Sequence, residues 1–468
     1  MTRRFQDVPP CSSCGGQDRS PPGRQRGRDW RGAGVHTLYD LLIVIAFVVL
    51  APYLMLRLAT SRRYRAGLKQ RLGLTRLRHP ERPCVWVHGV SVGEVRAAQP
   101  LVTRLETAHP ELEVVISTTT LGGQEVARRL YPGRYIFYFP LDFGPVVRKF
   151  VGTLRPRIIL LVELEIWPNL LYVASRARIP VVIVNGRITE RSWQGYRRLG
   201  RFLPQMERIA YFLVQNEDYR RRLIDLGVPG DRVEITGNLK YDALPTDQGQ
   251  GKYESLRREL GLRPGERVIL GGSTHEGEEA VLWRVFTHLG VRRDGVRLLL
   301  VPRHLERVGD VMRTLSRAGA RTVRVTSLRS GEDSGNADSV LLLDTLGELA
   351  SFYGVADVVF VGGSLVPHGG QNMMEPAALG KPVLFGPHVQ NFRDEVALLL
   401  QHEAAIQVAS PEELELEMGC LLDDPGRARE LGERARSVAL SARGATERSF
   451  AVIRRFVGEP SATGLVRS

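Results

Sequence analysis

From residue 80 onward short apolar runs punctuate the chain, each too brief for a helix and each followed by a longer mixed segment. Six runs come first, at 85–87, 114–117, 135–139, 158–162, 181–184 and 210–214. Six more follow at 268–270, 297–301, 321–325, 340–343, 357–361 and 382–385. A run that is apolar at every position, such as 158–162, suits a strand buried on both faces of a parallel sheet. Strands alternating with helices predict a doubly wound α/β architecture. A polar, turn-rich stretch at 242–252 separates the two sets and reads as a linker. Two similar halves predict a cleft, and ligands of such sheets lie beyond the carboxyl ends of the strands.

The segment before this pattern has a different character. Residues 41–56 carry no charge, which predicts a single membrane anchor over 37–58, with an uncleaved signal peptide or an in-plane helix as the alternatives. Arg57, Arg62, Arg63, Arg65, Lys69, Arg71, Arg76 and Arg78 follow with no acidic residue among them. Such a flank places the body on the cytoplasmic side of the inner membrane. Residues 1–36 are rich in arginine, proline and glycine and have no apolar periodicity, so they are expected to be a disordered basic arm. No methionine occurs between Met1 and Met55, and a second expectation is that the arm is not translated, with synthesis beginning at a codon such as that of Val35.

Composition narrows the partners. The 468 residues exceed one ordinary core, and 43% hydrophobic with 25% charged residues describes a mainly globular chain. The net charge of +14 favours anionic partners. Basic residues gather beside the anchor and otherwise interleave with strands instead of lining one helix, so membrane lipids are expected as partners and nucleic acid is not. Cys11 and Cys14 lack the second ligand pair of a structural zinc site, and Cys84 and Cys420 lack evident partners. No metal site is expected.

Chemistry-bearing residues cluster just after the predicted strands. Val85-Trp-Val-His-Gly-Val-Ser-Val-Gly-Glu94 runs from a strand through glycines to a carboxylate at a helix start, where it would act as a base. Ser91-Val-Gly-Glu94 also fits a capping box, in which the glutamate only closes the helix end. A helix N-terminus would keep Glu94 ionised at neutral pH. Glu163 and Glu165, with Trp167, follow the strand at 158–162 and face the same cleft. Asn185-Gly-Arg187 follows the next strand. Trp193, Tyr196, Leu199 and Leu203 would share one helical face, either as core or as a rim that admits a lipid.

In the second half Gly271-Gly272-Ser273-Thr274 offers a glycine turn after the strand at 268–270. Arg303 and His304 stand at the next strand end. Glycines 362, 363, 369 and 370 precede a helix predicted to start near Asn372, whose free amides would attract a phosphate, while Glu375 one turn in would reach ribose hydroxyls. The same glycines also suit an ordinary tight strand-to-helix turn. Their convergence on one sheet edge predicts a nucleotide site.

Together the segments HGVSVGE, ELEIWPN, NGRITERS, GNLKYD, GGSTHEGEE, VPRHLER and GGQNMMEPAALGKPVLFGPHVQNF, in this order behind an N-terminal anchor, resemble the 3-deoxy-D-manno-octulosonic acid (Kdo) transferases that act on the lipid A precursor. The resemblance spans most of residues 37–445 and departs from the family pattern at Leu164, Gly186 and Gln371. It implies a GT-B glycosyltransferase fold, with an acceptor-binding Rossmann-like domain at 59–241, a linker at 242–254, a donor-binding one at 255–445, and a C-terminal helix and tail at 446–468. It implies transfer of Kdo from CMP-Kdo to the lipid A precursor with inversion, without a metal ion or other cofactor. Glu94 takes the general-base role, and Arg303, His304, Asn372 and Glu375 contact CMP, with Gly272 and Ser273 near the phosphate. Glu163, Glu165, Arg187 and Lys240 are candidate acceptor or anion contacts. Two other readings stay open: a GT-B enzyme using a UDP-sugar, whether transferase or sugar-nucleotide epimerase, and a non-catalytic membrane-bound nucleotide-binding protein.

Overall fold

Each of the predicted apolar runs forms a strand in the computed structural model, which describes residues 29–61, 65–199, 205–245, 249–290, 295–336 and 338–458. The first sheet comprises β1 (Cys84–His88), β2 (Glu113–Thr118), β3 (Ile136–Tyr138), β4 (Ile158–Val162), β5 (Val181–Gly186), β6 (Tyr211–Val214) and β7 (Val233–Ile235), in the order β3-β2-β1-β4-β5-β6-β7. The second comprises β8 (Arg267–Thr274), β9 (Val296–Pro302), β10 (Thr322–Arg324), β11 (Val340–Leu342), β12 (Val358–Val361), β13 (Val383–Phe385) and β14 (Ile406–Gln407), in the order β10-β11-β9-β8-β12-β13-β14. Every pairing is parallel. The two strands missed in the sequence, β7 and β14, are edge strands of three and two residues.

Period-two alternation assigns each strand to two cores. Cys84 and Trp86 of β1 join Phe137, Phe150, Ile159 and Leu171 on one face, whereas Val85 and Val87 join Leu101, Val102 and Leu160 on the other. The second face is completed from the far end of the chain, because the helix Ala445–Val457 adds Phe450, Ile453 and Val457 to it. The last helix therefore packs on the first sheet, not on the second.

Two boundaries differ from expectation. The N-terminal helix spans Asp29–Thr60, so it begins inside the stretch expected to be disordered up to residue 36; residues 1–28, with Cys11 and Cys14, lie outside the described residues. Within it His36–Thr60, 25 residues, is long and apolar enough to cross a membrane. It forms a unit of its own, and the chain from Thr60 onward forms the other. The expected linker also holds the start of a helix, Gln250–Glu259, whose Leu256 packs in the second core.

Each sheet has one place where the strand order reverses and the chain leaves neighbouring parallel strands towards opposite edges, between β1 and β4 in the first and between β8 and β12 in the second. Crevices for ligands open there. In the second sheet the two strand ends touch backbone to backbone. A β-carbon on Gly362 would lie 2.6 Å from the Ser273 carbonyl oxygen and 2.6 Å from Thr274 Cα, atoms with no room to yield. Gly362→Ala is expected to cost about 1–3 kcal/mol, as overpacking does. Thermal denaturation reads this as a lowered Tm; an unchanged Tm would contradict the close approach.

Candidate active site

At the first crevice the turn after β1 leads into the helix Val92–Ala97. Ser91 caps this helix, its Oγ accepting from the Glu94 N–H at 3.3 Å. Glu94 in turn accepts from the Ser91 hydroxyl at 2.6 Å and from the Val90 N–H at 2.7 Å. The capping arrangement is thus realised, with the carboxylate bonded one residue further back than the usual box. His88, just before it, is fully buried, its Nδ1 donating to the Ser117 carbonyl at 3.1 Å, and burial pushes its pKa down to about 3. It stays a neutral part of the sheet.

Glu163 and Glu165 follow β4, the neighbour of β1, and approach Glu94 closely enough to interact with it. Glu163 holds a left-handed backbone with φ 62°. Burial pushes the Glu94 carboxyl up, repulsion from Glu163 adds to that, and the bonds from Ser91 and Val90 oppose it. The helix terminus and these bonds thus work against burial at Glu94. Glu165 goes further: burial, then repulsion from Glu94 and Glu163, raises it to about 7. Lys240 Nζ lies 3.4 Å from Glu163, which joins two of the residues singled out in the sequence.

The second crevice is organised by a residue the sequence reading passed over. Glu278 has no exposure and accepts four backbone amides: His275 at 2.9 Å, Gly363 at 2.7 Å, and Ser364 and Leu365 at 3.0 Å. Three of the amides in the glycine turn after β12 are therefore taken by a side chain. The helix beyond is Met374–Ala378, starting later than Asn372 and only five residues long. The turn before it is thus not a set of free amides, since Glu278 occupies three of them. Gly271 and Gly272 are likewise not a turn. They lie within β8, where Gly272 leaves room for the Tyr353 ring, and only Ser273, with φ 54°, leaves the extended form.

Side chains supply what the backbone does not. Arg303 and His304 are exposed after β9, and His275 after β8 stacks on His368 with ring centroids 4.2 Å apart. Asn372 Nδ2 donates to Glu375 at 3.0 Å. Burial pushes Glu375 up, against that bond and the nearby cations Arg96 and Arg303. Arg96 belongs to the same helix as Glu94 in the first half. Its proximity to Glu375 brings the two strand-end clusters face to face.

Arg187 and its surroundings join the halves at a second point. Tyr219 donates to Asp394 at 2.5 Å, and Arg187 lies half-buried beside both. The helix Glu190–Leu199 rests Trp193 and Tyr196 against the first core, with Trp193 donating to Asp225 at 2.9 Å. Those two residues are partly buried against that core; Leu203 lies outside the described residues. Among the described residues no group of three or more His, Cys, Asp or Glu is placed to hold a metal ion. Of the residues missed in the sequence, His275 and Glu278 stand inside a quoted segment, and His368 and Arg96 flank others. Their signal was position: each lies within a few residues of a strand end at a crevice.

Comparison with known proteins places this geometry. Residues 66–243 match the family model described as 3-deoxy-D-manno-octulosonic-acid transferase (kdotransferase). The 3-deoxy-D-manno-octulosonic acid transferase of Haemophilus influenzae is 32% identical over 425 residues, covering 90% of this chain and 98% of that protein. The Bordetella pertussis protein of the same name is 35% identical over 386 residues, 80% of this chain and 87% of its own. Among solved structures, the UDP-GlcNAc 2-epimerase from Neisseria meningitidis bound to UDP-GlcNAc aligns over 80% of this chain and 100% of its own with a TM-score of 0.55 at 14% identity. A UDP-N-acetylglucosamine 2-epimerase from Listeria monocytogenes, over 81% of this chain and 99% of its own, gives 0.55 at 15%. Those two show a shared GT-B-like fold. With relatives above 30% identity along nearly its whole length, the chain belongs to the 3-deoxy-D-manno-octulosonic acid transferase family of glycosyltransferases.

Proposed function

We propose that this chain transfers Kdo from CMP-Kdo to a hydroxyl of the lipid A precursor at the cytoplasmic face of the inner membrane, with inversion and with Glu94 as general base. The observation that carries this is a pair of clusters at two strand-end crevices: carboxylates gather after β1 and β4, an arginine and imidazoles gather after β8, β9 and β12, and Arg96 of the first half acts on Glu375 of the second. In the step, the acceptor oxygen bonds to the anomeric carbon, its proton passes to a Glu94 oxygen, and the bond to CMP breaks with its electron pair leaving on the phosphate. Arg303 and His304 meet the charge that builds on that phosphate, aided by Ser273 beyond Gly272. Asn372 and Glu375 orient the ribose. Glu163, Lys240 and Arg187 line the acceptor side.

Three carboxylates cannot all stay charged at close quarters. Glu94 has an N–H and an O–H bonded to its oxygens, which favours its ionised form, whereas Glu165 is raised to about 7 and takes the proton. That division leaves Glu94 free to act as the base.

Incubating the protein with CMP-Kdo and lipid A precursor and weighing the products tests the reading; release of UDP from a UDP-sugar in place of CMP would overturn it. Glu94→Gln is expected to bind CMP as the wild type does and to lose at least about a hundredfold in kcat, the usual scale for a lost base. Turnover near wild type would leave Glu94 a helix cap only. Glu375→Ala is expected to raise the donor KM with little change in kcat, and an unchanged KM would remove the ribose contact. Glu165 predicts a pH effect on stability. From its ordinary 4.5 up to about 7 the folded chain holds a proton that the unfolded chain has released, so stability falls as pH rises through that window. Glu165→Gln is expected to lose less Tm than the wild type between about pH 5 and about pH 8. Parallel Tm curves would refute the assignment.

A further inference from the structure

We propose that His275, His304 and His368 form a proton-coupled clamp at the second crevice, which takes an anionic oxygen group of the sugar nucleotide and gains a proton as it does so. The inference rests on the donor reading given above and assigns His275 and His368 to that site. Its position is the one the sheet dictates, since His275 follows β8 and His368 follows β12, the two strands that flank the crevice, and His304 follows β9, the next strand over. The His275 and His368 rings stack at 4.2 Å and 20°, and His304 stands edge-on to His275 at 5.9 Å and 84°. His275 is the buried floor, while His304 and His368 are exposed at the rim.

Every charged neighbour was placed by the fold in a way that favours an anion here. Arg303 and Arg307 face His275. Of the nearby carboxylates, Glu278 is filled by backbone amides and Glu279 by Arg307 at 2.9 and 3.2 Å. Glu276 acts on Arg307, Glu306 lies 3.9 Å from His304 Nδ1, and Glu375 acts on Arg303. None of them offers His275 a counter-charge of its own. Burial, then His368, His304, Arg307 and Arg303, hold His275 down to about 4.

An anion set among these groups reverses the sign of the balance. It attracts the imidazolium, so the bound state holds a proton that the free state lacks, and donor affinity falls as pH rises towards the bound-state value. Gln371 suits both states. Its Nε2 lies 3.1 Å from His275 Nε2 and donates to the neutral ring; turned over, its carbonyl accepts from the protonated one.

The test uses the full chain with 13C-labelled histidine, and the His275 resonance is assigned by its loss in His275→Asn. CMP and free Kdo, added separately, tell a phosphate from a sugar carboxylate: the one that binds in the clamp raises the His275 midpoint. No rise with either overturns the proposal. In turnover, the wild-type donor KM is expected to rise about tenfold from about pH 6 to about pH 8, as one-proton linkage allows, and the His368→Asn profile to be flatter, with the change falling on KM and not on kcat. A flat wild-type KM, or the wild-type profile in His368→Asn, overturns it as well. Absence of turnover with CMP-Kdo alongside a raised His275 midpoint would remove the transferase reading and keep the clamp.

Discussion

A carboxylate withdrawn from water must have its lone pairs met, and Glu278 meets this demand with four backbone amides. The donors come from the turns after two adjacent strands, β8 and β12, so one side chain ties the two turns together. One of the turns is otherwise unfavourable: Ser273 holds left-handed backbone with φ 54°, a conformation that Gly363, at 68°, adopts without strain. Where His275 and His368 stand, and hence how their rings stack, follows from that tie. The same bonds use up three amides of the glycine turn, which leaves Arg303, His304 and His275 as the polar groups the strand ends present there.

The first crevice has the opposite electrostatics for a related reason. Parallel strands deliver side chains to one edge only, and here β1 and β4 deliver Glu94, Glu163 and Glu165 to neighbouring positions. Their mutual repulsion, sharpened by burial, makes a proton-holding site; across the gap, crowded cations make a site short of negative charge. A reaction that removes a proton on one side and expels a phosphate on the other needs both.

The apolar runs made both sheets legible because parallel strands buried on both faces leave little room for other residues. The same rule hid β7 and β14, whose edge positions need no such run. Glu94, Arg303 and Glu375 could be picked out because glycines and strand ends mark them. Glu278 could not: in sequence it is one acid among three in Glu276, Glu278 and Glu279, and only the folded turns show which one gathers the backbone amides. His275 failed for the same cause, since its partner His368 lies on a distant strand end. Capping, which the Ser91 to Glu94 spacing set against a role as base, is realised without excluding that role: the bonds that close the helix also hold the carboxylate's two oxygens in place.

How the halves keep their clusters apposed follows from the path of the chain. It passes from the first half to the second near residue 245 and returns near residue 443, because the helix Ala445–Val457 packs on the first sheet. The two crossings are fastened to each other: Asp242 accepts from the Gly444 N–H at 2.6 Å and from the Thr446 N–H at 2.5 Å, and Arg443 donates to the Leu244 carbonyl at 2.9 Å. A double crossing resists sliding and twisting more than one strand does, and leaves opening and closing about the crossings as the softest movement. The Tyr219 to Asp394 bond spans the halves at another point, where opening would have to break it. Arg187 beside that bond, and Lys240 bridging towards Glu163, thus connect the state of the gap to the carboxylates that face it.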